Sequence, residues 1–111
     1  MVQKPTSTDN DATTRIYLAL AQVPEGRVVT YGRLAELAGL PRAARLVGST
    51  LRKLPKDTSL PWHRVLNAQG KISLPEPGFQ RQRDRLQAEG VALISGRVDL
   101  TLYGWPRQGE L

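Results

Sequence analysis

Between Thr30 and Leu54 the chain carries two short apolar stripes at helical spacing, parted by Gly39, Leu40 and Pro41. No other feature restricts the fold as much, because a glycine stops a helix in the left-handed region and the following proline cannot continue it. Thr30 is placed to cap a helix whose inward residues are Leu34, Leu37 and Ala38. The next helix, read over 42–54, turns Ala43, Leu46, Val47, Thr50, Leu51 and Leu54 inward. Two short helices joined by such a corner form a helix-turn-helix, the arrangement that presents its second helix to DNA. A preceding stripe, Ala12, Ile16, Ala19, Leu20 and Val23, ends at Pro24-Glu25-Gly26 and gives a third helix to pack behind the pair.

The remaining signals are shorter. Val28 and Val29 are β-prone, and Val65-Leu66 and Lys71-Ile72-Ser73 flank the turn Asn67-Ala68-Gln69-Gly70, which reads as a hairpin able to act as a wing. Leu74-Pro75-Glu76-Pro77-Gly78 reads as a stiff loop, Phe79 to Glu89 as a polar, arginine-rich helix stopped by Gly90, and the segment around Ser95-Gly96 as a second small hairpin. A chain of 111 residues fits one compact domain. The expected fold class is α/β, mainly helical: a single winged-helix-like domain with a helix-turn-helix and short β-hairpins, spanning 12–105 between a flexible arm (1–11) and a flexible tail (106–111).

Composition removes several kinds of chemistry. The chain has no cysteine and one histidine, His63. Disulfides, a thiolate nucleophile and a cysteine- or histidine-rich metal site are therefore excluded, and neither metal nor cofactor is expected. No apolar run approaches the roughly 20 residues of a membrane span, and 1–10 is too polar for a secretory signal, which points to a soluble, cytoplasmic protein.

The net charge of +6 is concentrated in the middle of the chain. Residues 42–85 hold ten basic side chains against three acidic ones, whereas 1–41 are balanced and 86–111 are slightly acidic. Such a surplus suits a polyanionic partner, most often nucleic acid, and equally describes a solvated basic face. The outward side of the second helix of the pair sharpens the choice: Arg45, Ser49 and Arg52 share one face, with Ala44 and Gly48 beside them. Small residues there permit close approach to a ligand or close packing of two helices.

Pro61-Trp62-His63-Arg64-Val65 places a large indole beside the one acid-base side chain. At these residues the sequence resembles the carboxy-terminal domain of O6-alkylguanine-DNA alkyltransferases, whose Pro-Cys-His-Arg-Val motif carries the alkyl-accepting cysteine. Trp62 stands in the cysteine's place, as in the alkyltransferase-like subgroup of that family. The resemblance runs from about residue 13 to 90. Val28 to Ala35 is similar to the segment whose tyrosine, here Tyr31, meets the phosphate backbone and the target nucleotide. Pro41 to Gly48 resembles the recognition helix, in which Arg45 matches the arginine finger that fills the space of an extruded base. The resemblance implies DNA contacts from Tyr31, Arg42, Ala44, Arg45, Gly48, Ser49 and Arg52. It also implies an alkylguanine pocket of Tyr31, Trp62 and Val65, with backbone groups of Trp62 and Val65 on the guanine edge, and a vestigial relay of His63 and Glu89.

The transferase reaction needs a thiolate, and tryptophan offers one N–H donor with no comparably reactive lone pair. The implied protein is therefore not an enzyme. It binds O6-alkylguanine in duplex DNA by nucleotide flipping, with Trp62 against the alkyl group, and marks the lesion for nucleotide-excision repair proteins; the simplest assembly is a monomer. With nothing to activate, His63 either orients its loop or reaches Glu89, while Arg64 either contacts phosphate or braces the pocket. Pro75 stands near the place where related tryptophan-bearing proteins often carry a basic residue, so this loop brings no donor for the base oxygen. The competing expectation is a winged-helix transcriptional regulator that binds undamaged DNA.

Overall fold

The computed structural model describes residues 8–111. Four helices and one short turn of helix carry the fold: α1 (Thr8–Ala21), α2 (Tyr31–Leu37), α3 (Ala44–Arg52), α4 (Gly78–Ala88) and α5 (Leu100–Tyr103). Two strands, β1 (Val29–Thr30) and β2 (Val65–Leu66), complete it. The expected mainly helical α/β domain is present, with a short parallel sheet in place of the expected hairpins.

α1 begins at Thr8, so the expected arm over 1–11 is corrected for its last four residues, and its remainder lies outside the described residues. Asp11 pairs with Arg15 at 3.3 Å one turn on, holding the first turn in helical geometry. Ile16, Leu20 and Val23 are buried with Leu34, Ala35 and Val47, which makes the three-helix cluster the first of two cores. Thr30 caps α2 as expected, its hydroxyl accepting from the Arg33 N–H at 3.1 Å. Gly39 closes α2 at φ +75°, where a Cβ would lie 2.4 Å from the Arg15 guanidinium. That guanidinium donates to the Gly39 carbonyl, tying α1 to the end of α2.

The second helix of the pair is shorter than the stripe suggested. α3 starts at Ala44 because Arg42 adopts φ +68°, which ends the corner in the left-handed region before helical geometry resumes. Leu46, assigned to the inward stripe, is 41% exposed. With α3 so truncated at its start, Val47 and Thr50 carry the burial instead.

The hairpin over 65–73 is a correction. β2 pairs in parallel with β1, Val29 against Val65 and Thr30 against Leu66. The Asn67–Gly70 turn is instead held by the Asn67 carboxamide, which accepts from the N–H groups of Gln69 and Lys71, each at 2.9 Å. This central pair is a seam. Successive side chains of a strand point to opposite faces, so Val65 enters the first core while Leu66 enters the second, with Val28, Ile72, Leu86, Val91 and Val98. The second expected hairpin is reduced to an Ile94–Arg97 bridge around a turn, followed by α5, which Asp99 caps. The tail returns to the body: Glu110 pairs with Arg27 at 2.8 Å.

Candidate nucleic-acid interface and base pocket

α2 and α3 present a groove lined by Tyr31, Gly32, Ala44, Arg45, Ser49 and Arg52, with Asn67 and Ser73 on the opposite wall. Its volume is about 780 Å³. Tyr31 spans it, its hydroxyl lying 3.1 Å from Ser73 Oγ. Six of the seven residues expected to meet DNA are thus brought together. The seventh, Arg42, sits on the exposed corner before α3 and does not line the groove. The Ser49 hydroxyl donates back to the Leu46 carbonyl, so its outward contribution is small size and a free lone pair.

Behind the groove lies a deeper cavity of about 280 Å³. Trp62, Leu51, Leu54, Pro55 and Leu74 give it apolar walls, and Tyr31, Gly48 and Arg52 are shared with the groove. The two spaces adjoin at those shared residues. A Cβ on Gly48 would touch Tyr31 Cε1 and Arg52 Nη1 at 3.9 Å, ordinary contact distance, so a methyl group is tolerated here and only a longer side chain would come between the two spaces. The size is close to the lower end of small-molecule sites, about 300–1,000 Å³.

Trp62 is fixed from several directions. It opens a turn of 3-10 helix, Trp62–Arg64, that leads directly into β2. The Arg85 guanidinium lies 5.5 Å from the centroid of the indole, and the His63 ring meets it edge-on at 6.1 Å and 89°. Gln82, 2% exposed, bolts this turn to α4 by donating its amide to the carbonyls of His63 and Val65 at 3.0 and 2.9 Å. Val65 itself is corrected: it is buried in the first core and does not line the cavity. Its N–H donates to the Trp62 carbonyl and its own carbonyl accepts from Gln82, so both backbone groups are engaged within the protein. The Trp62 N–H is likewise bound to the Leu60 carbonyl at 2.8 Å.

The expected pairing of His63 with Glu89 is direct, Nε2 to Oε2 at 2.6 Å. Arg64 joins the same carboxylate through NH2 at 2.7 Å and Nε at 3.0 Å, and its NH1 donates to the Val23 carbonyl. The Gly26 N–H adds a fourth donor at 2.9 Å. Arg64 therefore braces the site. Burial opposes the charge of Glu89, but Arg64, Gly26 and His63 together overcome it and hold the carboxyl at about 2. For His63, burial is the largest influence and lowers its basicity; the Glu89 hydrogen bond and charge oppose this, while Arg64 and Arg85 reinforce it. An ionised carboxylate only accepts, so neutral His63 carries its proton on Nε2. That leaves Nδ1 as a buried bare acceptor with no partner among the described residues. A base is present; a thiol to deprotonate is not.

Several contributors escaped the sequence reading. Lys56, Arg81 and Gln82 line the cavity, and Arg85 covers the indole. Arg81 and Arg85 fall one turn apart on α4, a spacing that marks a common face; nothing in the spacing says which cavity that face meets. Pro75 is exposed and absent from the cavity wall, which its neighbour Leu74 supplies.

Comparison with known proteins places this geometry. The model of the family described as 6-O-methylguanine DNA methyltransferase, DNA binding domain, matches residues 11–91. A DNA base-flipping protein of Escherichia coli is 54% identical over 92 residues, covering 82% of this chain and 71% of that protein. Alkyltransferase-like protein 1 of Schizosaccharomyces pombe is 45% identical over 99 residues, covering 83% of this chain and 92% of its own. The crystal structure of S. pombe Atl1 in complex with damaged DNA containing O6-carboxymethylguanine aligns with a TM-score of 0.82 at 38% identity, covering 88% of this chain and 97% of that one.

Proposed function

We propose, from the premise that the chain belongs to the 6-O-methylguanine DNA methyltransferase DNA-binding-domain family, that it flips O6-alkylguanine out of duplex DNA and holds the base in the cavity against Trp62. The protein is a non-enzymatic DNA damage sensor of the alkyltransferase-like kind. It has the transferase scaffold and no cysteine to accept an alkyl group. The observation that carries the reading is that a DNA-sized groove and a base-sized cavity lined by Trp62 adjoin at Tyr31, Gly48 and Arg52.

The energetics are consistent with this division. Extrusion costs a few kcal/mol, less for a damaged base, and bending the duplex adds about 1–6 kcal/mol. Arg45, exposed on α3, lining the groove and free of ion pairs among the described residues, is the side chain to fill the vacated stack. Phosphate contacts along the groove give affinity without sequence preference. Indole burial of the alkyl group supplies the discrimination. The alkyl group stays on its oxygen throughout, and release regenerates both partners.

Downstream, the flipped complex marks the lesion for nucleotide-excision repair proteins, and the protein works as a cytoplasmic monomer. The repair role rests on family resemblance, and the monomer on being the simplest assembly. Binding to matched duplexes bearing guanine or O6-methylguanine tests the reading, with mass spectrometry of protein and DNA after incubation. Tighter binding of the lesion with both masses unchanged supports it. Equal affinity, an alkylated protein or a dealkylated base would overturn it.

A further inference from the structure

Charge is distributed unevenly around the base cavity. Its lining contains three cationic side chains, Arg52, Lys56 and Arg81, and no carboxylate. Arg52 also lines the DNA groove, where a phosphate can neutralise it. Lys56 and Arg81 do not: they border the inner cavity alone. Neither enters an ion pair among the described residues. Of the acids nearest in sequence, Glu76 accepts from the Gln80 N–H and Asp84 lies beside Arg83, while Asp57, next to Lys56, is exposed and enters no ion pair among the described residues. Two exposed cations therefore line the space reserved for the base with no ion-pair partner among the described residues. Apolar walls suffice for a neutral alkyl group and give these two no role. In a cavity closed over by DNA, a charge-assisted hydrogen bond from guanidinium or ammonium to a carboxylate is among the strongest polar contacts available.

We infer that Lys56 and Arg81 make this cavity selective for O6 substituents that end in an anionic group, such as a carboxymethyl. The inference rests on the flipping function proposed above and adds the class of adduct favoured. Trp62 packs the linking carbon while Arg81 and Lys56 take the carboxylate. Neutral adducts bind through the apolar walls alone.

The test compares duplexes identical but for one base: guanine, O6-methylguanine, O6-carboxymethylguanine and its neutral isostere O6-carbamoylmethylguanine. The intact protein is expected to bind the carboxymethyl duplex about tenfold more tightly than the carbamoylmethyl duplex. Arg81→Gln should reduce that ratio, and Lys56→Gln with Arg81→Gln should bring it close to one, while binding of O6-methylguanine over guanine persists. If Lys56 and Arg81 serve phosphates instead, the double variant weakens all four duplexes by the same factor and leaves the ratio unchanged, which overturns the inference. Equal affinity of the unaltered protein for the two isosteres also overturns it. Failure to prefer any O6-substituted duplex over guanine identifies the flipping reading itself as the error.

Discussion

Arg64 and Glu89 are paired beside the tryptophan-bearing turn, Nη2 to Oε2 at 2.7 Å and both largely buried, with His63 on the same carboxylate. The cluster ties the tryptophan-bearing turn to the end of α4 and, through Gly26 and Val23, to the end of α1. Removing one member of a buried pair leaves the other charge without compensation. Arg64→Ala should therefore lower stability by about 3–5 kcal/mol, measured by urea unfolding, while Arg33→Ala, which breaks the exposed pair with Glu36, should cost under about 1 kcal/mol.

The same cluster sets an acid dependence. Glu89 is held at about 2, below its ordinary 4.5, so the unfolded chain takes up its proton first and the stabilisation present above about 4.5 is lost as pH falls toward 2. His63, whose basicity burial lowers, acts in the same direction beginning below its ordinary 6.5, since the unfolded imidazole protonates before the folded one. Stability should decline in two stages from about pH 6.5 downward. His63→Gln should remove the upper stage and leave the lower, as read from unfolding midpoints across pH.

Arg45 is exposed on the groove face of α3 and supports no part of the core. Arg45→Ala should leave the unfolding midpoint within about 0.5 kcal/mol, as for other surface changes. Lesion binding should fall at least tenfold, about 1.4 kcal/mol, because the extruded state loses its plug. Urea unfolding checks the first half and fluorescence anisotropy with lesion and undamaged duplexes the second: an equal loss on the two duplexes would make Arg45 a phosphate contact.

Gly48 tests the junction of groove and cavity. Gly48→Ala places a Cβ at ordinary contact distance from Tyr31 and should fold and bind nearly as before. Gly48→Leu extends a side chain between groove and cavity. It should abolish the preference for the lesion, a loss of tenfold or more, while weak binding to undamaged DNA persists through the groove.

Arg52 borders both spaces, and its contribution separates by salt. Arg52→Gln should reduce the steepness of log K against log salt by about 0.9, one phosphate's worth. A titration between low and moderate salt on the undamaged duplex measures it. An unchanged slope would place Arg52 wholly in the cavity.

Much of the scaffold was legible because it rests on local rules. Ile16, Leu20, Leu34 and Val47 announce their helices by spacing, Thr30 by its capping chemistry and Gly39 by the left-handed turn it permits. What was misread depends on contacts distant in sequence. Val65 and Leu66 next to a turn suggested a local hairpin; their partners are Val29 and Thr30, and nothing in a two-residue strand specifies a parallel neighbour. α5 is four residues long and depends on Asp99 as its cap, too little for periodicity to register. In the site, Trp62, His63, Glu89 and Tyr31 were legible from a motif. The cavity's cations and its glutamine bolt were not, because Arg81 and Gln82 join Trp62 only when α4 packs against the turn, and Lys56 reaches the same cavity from the loop after α3.

The most direct measurement is a crystal structure of the protein with a duplex carrying one O6-methylguanine. The account requires the purine outside the stack, lodged between Trp62 and Gly48 with its methyl group intact, and the Arg45 guanidinium in the space it left. A purine still stacked in the duplex, or a methyl group found on the protein, would contradict it.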